Sequence, residues 1–141
     1  AAAAALARAT ADAVITDVRL GDGDGIEILR HVKAASPETV VIVMTDDPMS
    51  VQTTGQALAA LAKLGLDPAR VWVALNHVRP VFDIPLDSLQ RALKRPLAAN
   101  IPFDPNQMSA IRQGVPLVNA YPDSAFAQAV QDLARLVTQA E

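Results

Sequence analysis

Val14-Ile15-Thr16-Asp17-Val18-Arg19-Leu20-Gly21-Asp22-Gly23-Asp24-Gly25 is a short apolar run that ends on an acidic side chain and breaks at once into a glycine-rich turn. An uninterrupted apolar run before a turn is the pattern of a strand buried on both faces of a parallel sheet. Open α/β sheets hold ligands and metals at the carboxyl ends of their strands, which makes Asp17 the first candidate for chemistry. An aspartate in that position equally caps the next helix or satisfies turn amides, and the pattern alone leaves both readings open.

Working outward, Ala1 to about Ala11 reads as alanine-rich helix, Ala13 to Asp17 as strand, and Gly21 to Gly25 as a turn feeding a helix with Ile26, Leu29 and Val32 on one face. Ser36-Pro37 ends that helix, and Val40-Val41-Ile42-Val43-Met44 is a second buried strand. The Asp46-Asp47-Pro48 turn, with Ser50 as N-cap, opens a helix carrying Leu58, Leu61 and Leu64, which Gly65 closes. Val71 to Leu75 is the third strand. A segment with Pro80 and Pro85 leads to a short helix around Leu86, Leu89 and Leu93, and Leu97 to Ile101 is the fourth strand, ending in Pro102-Phe103-Asp104-Pro105. Gln107 to Gln113 predicts one or two helical turns stopped by Gly114. The tail aligns Phe126, Val130, Leu133 and Val137 on one stripe, capped by Asp123 or Ser124.

Strands alternating with helices imply βαβ crossovers: a three-layer α/β/α fold with a mostly parallel sheet, Rossmann-like or P-loop-like. With no fixed-period repeat and no linker composition, the expectation is a single α/β domain over residues 1–141.

Bulk properties narrow the function classes. A chain of 141 residues that is 51% hydrophobic is long enough for one core. A net charge of -3 with interspersed signs offers no basic field, so nucleic acid is not an expected partner. Apolar runs such as Thr39 to Thr45 fall far short of the roughly 20 residues of a membrane span. The absence of cysteine excludes disulfides, thiolate zinc sites and a cysteine nucleophile, and is compatible with a cytoplasmic location. Ala1 to Ala5 lacks the charged flank of a signal peptide and reads as the middle of an element.

Residues 10–45 resemble the middle of a response-regulator receiver domain, on Asp12-Ala13-Val14-Ile15-Thr16-Asp17, then Asp24-Gly25, a helix, and Val41-Ile42-Val43-Met44-Thr45. That resemblance implies that Asp17 accepts a phosphoryl group from a histidine kinase with Mg²⁺ bound. It also makes the Arg19 backbone carbonyl a metal ligand and Thr45 the switch hydroxyl. A carboxylate nucleophile suits such a site, because a cation offsets the charge on the phosphoryl oxygens. The family's acidic pair on its first strand and the lysine of its last have no counterpart here. Gly21 replaces the usual proline, and Asp46 the usual small residue.

Residues 40–141 resemble the C-terminal half of the MinD/ParA branch of P-loop ATPases, closest to the CpaE-like pilus-assembly members. The motifs are Asp47-Pro48-Met49-Ser50-Val51-Gln52, Val73-Ala74-Leu75-Asn76, Ile101-Pro102-Phe103-Asp104 and Gly114-Val115-Pro116-Leu117. This resemblance implies that Asn76, Pro102 and Asp104 line an adenine pocket, with ATP or ADP as ligand and pilus-assembly proteins as partners. No glycine-rich loop with a following lysine and hydroxyl is present, so ATP hydrolysis by this chain alone is not expected. The receiver-like segment is taken as residues 1–45 and the MinD/ParA-like segment as 46–141, with a splice at residues 40–45 that keeps the sheet continuous.

Three readings follow: a nucleotide- or Mg²⁺-responsive regulatory module, a receiver phosphorylated on Asp17, or a structural chimera without activity. Asp22, Asp24, Asp46 and Asp47 are weighed with Asp17 as an oxygen-rich Mg²⁺ site against their ordinary use in turns. His31 and His77 have no third ligand at metal spacing and read as structural. Trp72 reads as half-buried packing. Self-association is expected through an unprotected sheet edge beside the first strand.

Overall fold

Four parallel strands lie side by side in chain order: β1 (Ala13–Asp17), β2 (Thr39–Thr45), β3 (Val71–Asn76) and β4 (Ala99–Ile101). They come from a computed structural model that describes residues 13–17, 30–31, 34 and 39–139. The helix expected over Ala1 to Ala11, the turn at Gly21 to Gly25 and the stripe of Ile26, Leu29 and Val32 lie outside the described residues. Arg30, His31 and Ala34 are helical.

The β-branched run of β2 is continuous because both its faces are covered. Val40 and Ile42 pack under α1 (Pro48–Lys63) with Ala57 and Leu61. Met44 joins Val73, Leu75, Leu89 and Leu93, the last two from α2 (Leu86–Leu93). Val41, Ala74 and Ile101 turn the other way. They meet Phe126, Val130, Leu133 and Val137, the expected stripe, on a long C-terminal helix. Between β4 and that helix come α3 (Gln107–Gln113) and α4 (Leu117–Ala120), which makes the last helix α5 (Ala125–Gln139). Helices on both faces of a parallel sheet give the three-layer α/β/α class.

Strands β2 and β3 run one residue past the sequence reading, to Thr39 and Thr45 and to Asn76, and two element starts differ by more. The N-cap of α1 is Asp47: its carboxylate accepts from the Ser50 backbone N–H at 2.9 Å, and Pro48 takes the first turn. A proline just inside a helix start needs no donor, so the cap moves ahead of it. Ser50 is buried inside the helix instead. Strand β4 begins at Ala99 rather than Leu97, because the Leu97 N–H donates to Gln90 Oε1 at 2.9 Å and its side chain joins the α2 cluster.

Other ends match. Gly65 closes α1 with φ 77, the Leu66 N–H reaching back to the Leu61 carbonyl. Gly114 closes α3 with φ 66. Ser124 caps the last helix by accepting from the Ala127 N–H at 3.1 Å. Helix α4 is an element the sequence reading lacks, although Pro116 ahead of Leu117-Val118-Asn119-Ala120 is a start signal. Among the described residues no helix is long and apolar enough to cross a membrane.

Candidate functional site

Register decides which side chains share the carboxyl edge of the sheet. Thr45 pairs with Asn76, and Asn76 with Ile101, so the tips of β2, β3 and β4 are level. Pro102 follows directly. Asp17, itself exposed, pairs with Val43 on β1, two residues short of Thr45 or roughly 7 Å back along the strand direction. The edge therefore gathers Thr45, Asn76 and Pro102, while Asp17 stands on a neighbouring strand one step below. Arg19, Asp22 and Asp24 lie outside the described residues.

Each member of the edge has its own chemistry. The Thr45 hydroxyl donates to Asp47 Oδ2 at 2.6 Å, and its backbone N–H donates to Ser50 Oγ at 2.9 Å. One carboxylate thus serves as helix cap with one oxygen and holds the threonine with the other. Asn76 Oδ1 is buried without a hydrogen-bond partner. A buried amide oxygen left unpaired carries a desolvation cost of about 1–3 kcal/mol, which a ligand N–H would remove. Asp104, 7% exposed, accepts from the Asn106 N–H at 2.8 Å and so shapes the turn into α3.

A second cluster, which sequence reasoning missed, surrounds Asp46. Its side chain is fully buried. Oδ1 accepts from the Val78 N–H at 3.3 Å and lies 3.8 Å from Arg79 Nε. The Arg79 guanidinium also donates to the Asp46 carbonyl. Oδ2 has no hydrogen-bond partner and faces His77 Nδ1 at 3.6 Å. His77 Nε2 in turn meets Asn100 Oδ1 at 2.6 Å. No local pattern could have flagged this group, because its members come from three strand tips that only the register brings together.

No three acidic or histidine side chains converge as a metal site among the described residues. A groove of about 540 Å³, lined by Trp72, Arg95, Leu97 and Leu136 among others, opens at the opposite, amino-terminal end of β3 and β4. None of the candidate side chains among the described residues lines it.

Comparisons with known proteins find relatives of two kinds. The family model of the response regulator receiver domain matches residues 1–66, which takes in β1, β2 and α1. The uncharacterized ATP-binding protein MJ0547 of Methanocaldococcus jannaschii is 27% identical over 113 residues, 79% of this chain and 41% of its own length. Among solved structures, the septum site-determining protein MinD of Pyrococcus horikoshii, complexed with Mg-ADP, is 30% identical with a TM-score of 0.62. The match covers 76% of this chain and 44% of that one. The cell division ATPase MinD of Pyrococcus furiosus is 26% identical, TM-score 0.64, over 79% and 47% of the two chains. A ParA family ATPase from Chlorobium tepidum has a TM-score of 0.62 at 21% identity, over 83% and 46%.

The fold is that of the MinD and ParA ATPases. A receiver-like segment leads the chain, and the rest is MinD/ParA-like. The chain spans less than half the length of each of these relatives.

Proposed function

We propose that this chain is a CpaE-like nucleotide-binding regulatory module in which an adenine nucleotide, ATP or ADP, occupies the carboxyl edge of the sheet. Asn76 reads the purine edge through its side-chain amide, and Pro102 and the Asp104 turn form the rigid wall beside the base. The observation that carries this reading is the unpaired, buried Asn76 Oδ1 at the level tips of β2, β3 and β4. It is supported by one relative that is described as ATP-binding and another that is complexed with Mg-ADP. The 141 residues contain no Gly-x₄-Gly-Lys-Ser/Thr loop, so the reading is binding without autonomous hydrolysis. Mg²⁺ enters with the nucleotide, and pilus-assembly proteins are the partners the reading names.

Calorimetric titration of the chain with ADP and with ATP in the presence of Mg²⁺ tests it. Binding is expected, and Asn76→Ala is expected to weaken it by about fivefold to tenfold, the effect of one lost hydrogen bond in a buried site. Absence of binding heat with both nucleotides at high concentration overturns the reading.

A second reading rests on the receiver match over residues 1–66 and the exposed position of Asp17 at the end of β1. In it, Asp17 accepts a phosphoryl group from a histidine kinase, with Mg²⁺ on Asp17 and the Arg19 carbonyl, and Thr45 responds. Thr45 would first have to leave Asp47. Incubation with a small phosphodonor and Mg²⁺, read by intact mass, is expected to add one phosphoryl group that Asp17→Asn abolishes.

A further inference from the structure

The Asp46, His77 and Asn100 cluster has no part in the reading above, yet it sits back to back with Asn76. Successive side chains of a strand point to opposite faces. On β3, Val73 and Leu75 pack on the α1 and α2 side, whereas Trp72 and Ala74 pack on the α5 side. Continuing the alternation, Asn76 falls on the α5 side and His77 on the other, where its ring meets Phe82 edge-on with centroids 4.9 Å apart.

We infer that His77 is the positioning residue that holds the root of the Asn76 side chain in place, by locking the tip of β3 between Asp46 of the β2 tip and Asn100 of β4. This rests on the assignment of Asn76 as the base-reading residue. Strand ends fray unless something holds them, and this end is held from both sides. The His77 backbone N–H donates to the Ile101 carbonyl at 3.0 Å, which carries the β3 to β4 ladder one residue past the end of β3. Its ring meets Asn100 Oδ1 at 2.6 Å and faces the buried Asp46 Oδ2. Val78 and Arg79, the next two residues, are tied to Asp46 as well. Asn76 has no bond on its own side-chain oxygen to aim it. Its Cα–Cβ direction is therefore set by the backbone, and the backbone is set by the lock on the opposite face.

The consequence is selectivity. An amide whose Cβ is held in one place stays within hydrogen-bond reach of the adenine edge, and an amide on a frayed strand end loses that contact and the preference it gives. Removal of the lock lowers adenine preference more than it lowers fold stability.

The test compares the full chain with its His77→Ala and Asn100→Ala variants, all verified as folded by thermal unfolding. Nuclear spin relaxation of the Asn76 backbone amide needs no nucleotide. The order parameter is expected to fall from the rigid value of about 0.85 toward about 0.6 in both variants. Titration with ADP and GDP is expected to show the ADP preference reduced about fivefold in both, the worth of one hydrogen bond. Partial recovery in His77→Gln, which keeps one N–H donor, supports positioning over mere packing. An unchanged order parameter at Asn76 in both variants overturns the inference, even where Asn76→Ala itself abolishes ADP binding. A lowered order parameter in a chain that binds neither nucleotide sustains the lock and overturns the nucleotide reading instead.

Discussion

Strands β1 and β2 have nearly the same apolar composition but opposite surroundings. In β2, Val40, Val41, Ile42 and Met44 are all fully buried, whereas in β1 only Val14 is buried and Ile15 is 62% exposed. Composition alone did not decide exposure; position in the sheet did. The central strand has helices over both faces, and among the described strands β1 pairs only with β2. The same contrast divides the chemistry. Asp17 is the carboxylate that the sequence advertises, but it lies one step below the strand tips. Asp46 looks like a turn residue and is the one the fold buries.

The contrast is sharpest in stability. Ile42→Ala is expected to cost about 2–5 kcal/mol in chemical denaturation, as a large-to-small change in a filled core. Ile15→Thr is expected to stay within about 0.5 kcal/mol. A comparable loss at both positions would mean that β1 is covered as fully as β2.

Asp47→Ala comes next. It removes the cap of α1 and the acceptor of the Thr45 hydroxyl together, for an expected loss of about 1–2 kcal/mol by the same measurement. Thr45→Val removes only the second of these, with an expected loss of about 1 kcal/mol. Equal effects of the two would show that Asp47 acts on the threonine and not on the helix.

The smallest effect concerns the edge itself. If β1 is an open edge, the chain self-associates through it, as we propose, and Ile15→Lys is expected to lower the apparent mass in light scattering without changing the unfolding midpoint. A wild-type monomer at high concentration removes that proposal.

Much of the architecture was legible because its signals are local. The unbroken β2 run, Gly65 and Gly114 as helix stops, and the stripe from Phe126 to Val137 each needed only a few neighbouring residues to be read. The errors came where a side chain chose a partner across the fold. Ser50 looks like a cap, but Pro48 moves the helix start forward and leaves Ser50 to serve Thr45. Leu97 looks like strand, but the Gln90 side chain takes its N–H. At the edge, Asn76 and Pro102 were named through the resemblance to the MinD/ParA ATPases, and the fold sets one at the end of β3 and the other just after β4. Asp46, His77 and Asn100 were not, since their meeting depends on a register that no short window contains.

Each described strand pairs with the one that precedes it in the chain, from Ala13 against Thr39, through Val40 against Val71, to Ala74 against Ala99. Loops of similar, moderate length are closed at every step, so no ladder waits for a remote segment and the entropy of closure is met in small instalments. The sheet can zip up strand by strand in the direction of synthesis, and its assembly is expected to be quick for a parallel topology.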